Sequence, residues 1–488
     1  MRFHAIALVL SYLVLLFTAA FVGPIAAAAL LGEDVGATLI RFGLPALLTF
    51  VVGFGLQVYS REAEEELRDR EAFAAVGFAW LFLAFLGSLP YLLSGTLSDP
   101  VDAFFESMSG LTTTGASVIS NLEDRAAVPG SILLWRAETQ WLGGMGIIVL
   151  SIVVLSRILG GGVSLMRAEV ATHQVTRLRP KLSQTAGLLW GVYMTYTLIQ
   201  VVLLLLAGLT PLDAVTHSFS TISTGGFGTK GNSVAGLQAP AADLVILVFM
   251  VVGGISFNLH YEVLVQRKWR KLIKDPEVRF FVGTLVAASV LVSADLVARG
   301  ALDAASAVRQ GFFNVVSVTT TSGFSNGDWA SWPVTSQLVL LSLMFVGGCT
   351  GSTSGSLKAA RILIIIQAAR REVLRVVHPR AVVSVRLAGR VIPEQMVNSV
   401  LTFFAIFLFL FAFGAVLLST MSIPLVEAIS ASAASITNVG PALGSVGPES
   451  SYSHYPGPAK MVMALLMWLG RLEIFAGLVV LFPVSYKK

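Results

Sequence analysis

The sequence predicts an all-α integral membrane protein, an N-terminal two-helix hairpin followed by four pseudo-repeated units of helix, short pore-type helix and helix around one central axis. Three observations predict it. Of 488 residues 55% are hydrophobic and 12% charged, against roughly 25% charged in an ordinary soluble domain. The mean hydropathy is +0.80, and stretches of 18 to 30 nearly uncharged residues are long enough to cross about 30 Å of hydrocarbon as helices. A Thr/Ser-rich tip ending in glycine recurs four times between pairs of these stretches. A membrane barrel needs short alternating segments instead. The single cysteine, Cys349, excludes an intramolecular disulfide framework.

The first apolar run, Phe3 to Leu31, is too long for the core of a cleaved signal peptide. A second run follows at about 38 to 58, so residues 1–60 read as a hairpin. Pairs of runs then lie near 72 to 93 and 131 to 157, 183 to 208 and 241 to 265, 279 to 298 and 335 to 366, and 396 to 419 and 459 to 483, ten spans in all. They divide the rest of the chain into units at 61–158, 159–268, 269–392 and 393–488. An even number of spans places both ends on one side, and basic residues choose which. Segment 157 to 181 carries Arg157, Arg167, Arg177, Arg179 and Lys181; segment 267 to 279 carries Arg267, Lys268, Arg270, Lys271, Lys274 and Arg279; segment 358 to 390 carries eight more. The loop 60 to 71, with Arg61, Arg68 and Arg70, lies on the same side. The opposite connections hold chiefly Arg125, Lys230 and Arg309, so the termini and basic loops are cytoplasmic.

The four tips are LTTTGAS at 111 to 117, ISTGGFG at 222 to 228, TTTSGFS at 319 to 325 and ITNVGPA at 436 to 442. Their glycines align as Gly115, Gly225, Gly323 and Gly440, separated by 110, 98 and 117 residues. An acid followed by alanine precedes three of them, as Asp102-Ala103, Asp213-Ala214 and Glu427-Ala428, and the fourth pair, Asp303-Ala304, stands farther upstream. Acids favour a helix N-terminus. The stretches of about 12 residues before the tips are too short to span and too apolar for an exposed loop, and read as re-entrant half-helices. Non-helical backbone at membrane depth survives only where protein or a water-filled path satisfies its polar groups. Four such tips converging on one axis supply a ring of carbonyl oxygens, which is the chemistry that replaces the water shell of an alkali cation. Glycine permits the conformations that aim them.

With these tips, the segments WRAETQWLGGMGIIVLS at 135 to 151, STISTGGFGT at 220 to 229, ISFNLHY at 255 to 261, GGCTGSTSGSLKAARI at 347 to 362 and WLGRLEIF at 468 to 475 resemble the TrkH/KtrB/HKT superfamily of cation-transport subunits. The N-terminal hairpin makes the TrkH branch the better match. The resemblance runs nearly end to end and implies a channel-like pore for potassium uptake, with potassium as the transported ion and no cofactor bound by this chain. It implies a homodimer in the prokaryotic inner membrane, in contact with membrane lipid but not nucleic acid, and regulated by a cytosolic TrkA-like nucleotide-binding subunit. Four filter glycines accompany potassium preference in that superfamily, and serine at the first position accompanies sodium transport in some plant members. The ion-lining role passes to Thr113, Thr114, Gly115, Ser223, Thr224, Gly225, Thr321, Ser322, Gly323, Asn438, Val439 and Gly440.

Two gate candidates follow. The run from 335 is interrupted at Gly347, Gly348, Cys349, Thr350, Gly351, Ser352, Thr353, Ser354 and Gly355, nine small residues in succession. Each glycine costs a helix up to about 1 kcal/mol relative to alanine. Small residues also allow close helix packing; the resemblance instead implies an intramembrane loop crossing the pore below the filter. Arg471 lies within an apolar run, where a bare guanidinium costs several kcal/mol unless it faces water, carbonyls or an acid. A salt bridge to Glu473 or Glu138 is one reading, and a positive charge beside the glycine loop, barring cations, is the one the resemblance implies. Arg136, Glu138 and Glu106 read as structural, and Cys349 as a packing residue.

Other functions fit less well. The six histidines show no metal-ligand spacing, and there is no phosphate loop or nucleophile elbow. The triple glycine at 160 to 162 lacks a strand-turn-helix context. Enzymatic activity is therefore not expected, and the basic loops suit a docking partner or anionic lipid headgroups. A sodium- or proton-coupled potassium symporter is the main alternative, although such transporters commonly use inverted repeats and buried acids, whereas these repeats run parallel. A sodium-selective pore is the third possibility.

Overall fold

The computed structural model describes residues 2–61, 69–158, 182–381 and 383–481. Most of the basic segment 157 to 181 with its triple glycine, the body of the loop 60 to 71 and the chain beyond 481 lie outside the described residues. The hairpin is present as Phe3–Leu30 and Val35–Tyr59, turned at Gly32 with φ +69° and restarted by Asp34, whose carboxylate accepts the Ala37 N–H at 2.7 Å.

After the hairpin, a long helix followed by a short one recurs four times, each pair followed by a closing segment. The leading helices are Asp69–Leu93, Leu182–Leu206, Pro276–Ala298 and Glu394–Ser419, and they are continuous because their apolar runs carry no cluster of breakers. The last three show Leu198, Val202 and Leu206, Val286 and Val290, and Phe409, Phe413 and Val416 on the surface. Exposed apolar stripes of this extent mark contact with lipid or another apolar partner. The short helices are Pro100–Leu111, Pro211–Ile222, Ala304–Thr319 and Leu425–Ile436.

The closing helices differ from expectation. Gly130–Ile158 is continuous, but 241 to 265 is two helices, Pro240–Gly253 and Phe257–Leu264, bent by 103°. At the bend the Gly254 carbonyl accepts the Cys349 N–H at 2.8 Å. The stretch 335 to 366 holds a helix only at Val334–Leu343 and resumes at Ala359–Val377. The stretch 459 to 483 breaks between Gly457–Arg471 and Phe475–Leu481, where Glu473 and Ile474 take φ +51° and +59°. Among the described residues six helices are long and apolar enough to cross a membrane uninterrupted, or seven if the bent pair Pro240–Gly253 and Phe257–Leu264 forms one span, and three of the four expected closing spans are broken.

The units close on one another through tryptophans. Trp135 and Trp468, both buried, donate their indole N–H groups to the Gly87 and Gly77 carbonyls of the same helix, Asp69–Leu93, at 3.0 and 3.1 Å. A buried indole N–H needs such a partner; the Trp468 bond ties the last unit to the first, and the Trp135 bond ties the first unit's closing helix to its leading helix. A two-stranded hairpin, Arg386–Leu387 with Arg390–Val391, is the one departure from all-helical structure among the described residues. Its turn, Ala388-Gly389, has both φ angles positive, as a two-residue type I′ hairpin requires.

Candidate ion path: four helix tips and the loop beneath them

Three of the short helices begin on side-chain caps, and all four end inside the protein. Asp99 and Thr210 accept the Val101 and Asp213 N–H groups at 2.8 and 3.2 Å, and Asp303 accepts those of Ala305 and Ser306 at 3.1 Å. The third helix has 16 residues where the others have 12. It gains one turn because its acid caps the helix, while Asp102, Asp213 and Glu427 sit inside the first turn.

All four helices end in the same hydrogen-bonded turn. In the first, the Thr113 N–H reaches the Gly110 carbonyl and the Thr114 N–H reaches that of Ser109, both at 2.9 Å. The pairs Thr224 to Thr221 and Gly225 to Ser220, Thr321 to Val318 and Ser322 to Ser317, and Asn438 to Ser435 and Val439 to Ala434 repeat this pattern. It is the Schellman motif, whose left-handed residue is ordinarily glycine. Here it is Thr113, Thr224, Thr321 and Asn438, with φ +51°, +54°, +58° and +57°. A β-branched residue in that region is an outlier, at a cost on the order of 1–3 kcal/mol, and persists only where its surroundings over-determine it.

This register corrects one expected position. Two residues beyond each strained residue comes a glycine of positive φ, and these are Gly115, Gly226, Gly323 and Gly440. In the second tip Gly226 therefore matches Gly115, and Gly225 matches Thr114, Ser322 and Val439. Ser223, expected in the lining set, is instead the helix C-cap, with its hydroxyl bonded back to the Phe219 carbonyl at 2.7 Å. Alignment on the first glycine of STGGFG was off by one residue because two adjacent glycines look alike in sequence and differ only in φ.

The tips close into a ring. A Cβ placed on Gly115 would strike the Gly225 carbonyl oxygen; on Gly226, that of Ser322; on Gly323, that of Val439; on Gly440, that of Thr114. Each glycine thus lies against the carbonyl one position earlier in the next tip, and the fourth returns to the first. Side chains add cross-ties. Asn438 Nδ2 donates to Thr114 Oγ1 and to the Met467 carbonyl, each at 2.9 Å, which accounts for asparagine where the other tips carry threonine. The Tyr452 hydroxyl donates to the Gly440 carbonyl at 2.8 Å. Gly115, Gly226, Gly323 and Pro441 line an open cavity together with Arg136 and Lys230.

Helix Gly130–Ile158 braces the first two tips in a way the sequence reading left undrawn. Arg136 Nε donates to Glu106 Oε1 at 2.8 Å, Nη1 to the Gly228 carbonyl at 3.0 Å and Nη2 to Ser117 Oγ at 3.1 Å. Glu106 Oε2 accepts the Val118 N–H at 2.9 Å. A buried ion pair is tolerated when further hydrogen bonds satisfy its remaining atoms, as here. One turn on, Gln140 Nε2 donates to the Gly225 carbonyl at 2.6 Å and Oε1 accepts the Phe227 N–H at 3.0 Å. Both residues stand in WRAETQWLGG at i and i+4, a spacing that puts them on one helix face.

The glycine-serine stretch is a loop under the ring. Thr353 Oγ1 donates to the Ile222 and Gly253 carbonyls at 2.9 and 3.1 Å, Ser354 Oγ to that of Thr320 at 2.9 Å, and the Gly355 N–H to Thr321 Oγ1 at 2.8 Å. Added to Gly355, a Cβ would meet the Thr437 carbonyl. The loop therefore touches the ends of the second, third and fourth short helices, whose terminal carbonyls carry partial negative charge. Arg471, 2% exposed, reaches it from the last helix: Nη1 donates to the Thr353 carbonyl at 2.8 Å and Nη2 to that of Gly143 at 3.3 Å. Neither considered salt bridge forms. Glu473 pairs with Lys358 at 2.9 Å and with Arg361, and Glu138 faces Gly23. Arg471 is thus a buried cation held by carbonyl oxygens alone among the described residues.

Comparison with known proteins places this geometry in a family. A family model, TrkH, described as a cation transport protein, matches residues 42–485. The Trk system potassium uptake proteins TrkH of Halomonas elongata and Escherichia coli are 35% and 34% identical over 100% of both chains. A crystal structure of the potassium transporter TrkH from Vibrio parahaemolyticus superposes with a TM-score of 0.90 at 34% identity, again over 100% of each chain. With its sequence matched end to end and its fold superposed over the full length, the chain belongs to the TrkH family of cation transport proteins.

Proposed function

We propose that this chain takes up potassium across the prokaryotic inner membrane through a channel-like pore. The carbonyl ring at residues 113–115, 224–226, 321–323 and 438–440 is the selectivity filter, and the loop 347–355 with Arg471 is the gate. The observation that carries the reading is the closed cycle in which each tip's glycine lies against the next tip's carbonyl. Oxygens so arranged replace an ion's water shell, and strained turns locked by helix-end hydrogen bonds keep them from collapsing onto a smaller cation. Relatives named as Trk potassium uptake proteins support the choice of ion.

Arg471 and the loop lie where a dehydrated cation leaves the ring. The loop's hydrogen bonds to the Ile222, Gly253 and Thr320 carbonyls occupy helix-end oxygens that would otherwise receive it, and the guanidinium repels it. The reading extends to the assembly the resemblance implies: cytoplasmic termini, a homodimer and a cytosolic TrkA-like nucleotide-binding subunit that sets the gate. Relatives named as members of a Trk system support a multi-subunit arrangement. Reconstituted protein should conduct potassium and rubidium with a reversal potential that follows the potassium gradient alone. A shift with an imposed sodium or proton gradient would instead establish coupled symport, and a potential following sodium alone would establish a sodium pore.

A further inference from the structure

The four tips of the ring are not braced alike. At the position before the positive-φ glycine they carry Thr114, Gly225, Ser322 and Val439. Three have a Cβ that restricts the backbone; the second has none, and Gly225-Gly226 is the loosest dipeptide of the four. Gly225 does not need to be glycine for its own conformation, since its φ is not among the positive angles. It needs to be glycine for space: a Cβ there would strike the Gln140 carboxamide. That carboxamide, fully buried, has both ends engaged by the tip, Nε2 on the Gly225 carbonyl and Oε1 on the Phe227 N–H, so it spans the Gly226 residue. The corresponding carbonyls of Thr114, Ser322 and Val439 receive no side-chain donor among the described residues.

We propose that Gln140 is a positioning residue for ion selection: it replaces, from the neighbouring helix, the conformational restraint that the second tip lacks, and it orients the Gly225 carbonyl within the ring. Gly225 and Gln140 form one complementary unit, a side chain removed from the tip and a side chain supplied from outside. The ring is therefore chemically unequal, with one of its four carbonyls held by an amide donor. This inference rests on the filter reading above.

The test is a double-mutant cycle read as the potassium-to-sodium permeability ratio, from bi-ionic reversal potentials of the full-length protein in liposomes. Removing one buried hydrogen-bond partner is expected to lower the ratio about fivefold or more in Gln140→Met, which keeps the side chain's length and removes its donor and acceptor. Gly225→Ser alone should lower it as well, because the new side chain meets Gln140. Gln140→Ala with Gly225→Ser, which rebuilds the pattern of Ser322-Gly323, should recover part of the lost ratio. A wild-type ratio in Gln140→Met, or a double variant no better than the worse single, overturns the proposal. If Gln140→Met fails to assemble, Gln140→Glu replaces it, retaining the acceptor for Phe227 and removing the donor to Gly225, with the same outcomes deciding. A wild-type protein without potassium preference would mark a failure of the filter reading itself, which this cycle keeps separate.

Discussion

The ring of tips and the loop beneath it are built from the same small and hydroxylated residues, yet they are held in opposite ways. In the ring, each tip is fixed by its own helix-end turn, by its neighbour and, at 136 and 140, by a helix behind it. Strain at Thr113, Thr224 and Thr321 is sustained by that redundancy. The loop has no repeating internal pattern; among the described residues most of its restraint comes from hydrogen bonds shared with other elements, Gly254, Glu277, Thr321 and Arg471 among them. Redundant support suits an element that must keep one geometry. Single external hydrogen bonds, each worth roughly 1 kcal/mol net, suit an element with a second position close in energy. On the function proposed above, selection and gating are thereby separated along one path.

The sharpest way to break this contrast is to disturb the ring. Gly226→Ala imposes a side chain where φ is +79° and the Ser322 carbonyl is adjacent. Alanine at a positive φ destabilises by more than about 1 kcal/mol before the clash is counted, so potassium flux should fall by at least about tenfold. Gly115→Ser should relax potassium-over-sodium selectivity; an unchanged ratio would favour a sodium pore.

Changes to the loop should move flux in the other direction. Arg471→Ala removes the buried cation and its bonds to Thr353 and Gly143, and potassium flux should rise; unchanged or lower flux in well-expressed protein contradicts its role as a gate. Thr353→Val removes the hydroxyl's bonds to Ile222 and Gly253, and several-fold higher flux is expected from the loss of about 1 kcal/mol of anchoring. The smallest effect belongs to Glu277→Gln, because the amide oxygen still accepts the Thr350 N–H that Glu277 holds at 2.8 Å. Labelling of Cys349 by a thiol reagent should change by less than about twofold in this variant, within the scale of one retained hydrogen bond.

How much of this was legible in the sequence differs between the two regions for a physical reason. The hairpin, the four tips and the nine-residue break stand out because hydropathy and small-residue runs are one-dimensional signals. The register of the second tip does not, because Gly225 is glycine to admit Gln140 while Gly226 is glycine to reach a positive φ. A threonine in a left-handed turn likewise looks, by type, like a strand former. The bend after Gly253 is hidden inside a run apolar enough to read as one span, since helix continuity there is decided by what the freed carbonyls bond to. Gly143 carries the converse lesson: its helix continues, and the glycine serves close approach to the Leu111 carbonyl.

The separation of selector from gate is tested most directly by the bi-ionic potassium/sodium reversal potential of Arg471→Ala measured beside wild type. The account predicts a larger conductance at an unchanged reversal potential. A reversal potential shifted towards that of sodium would show that the arginine and the ring act as one element.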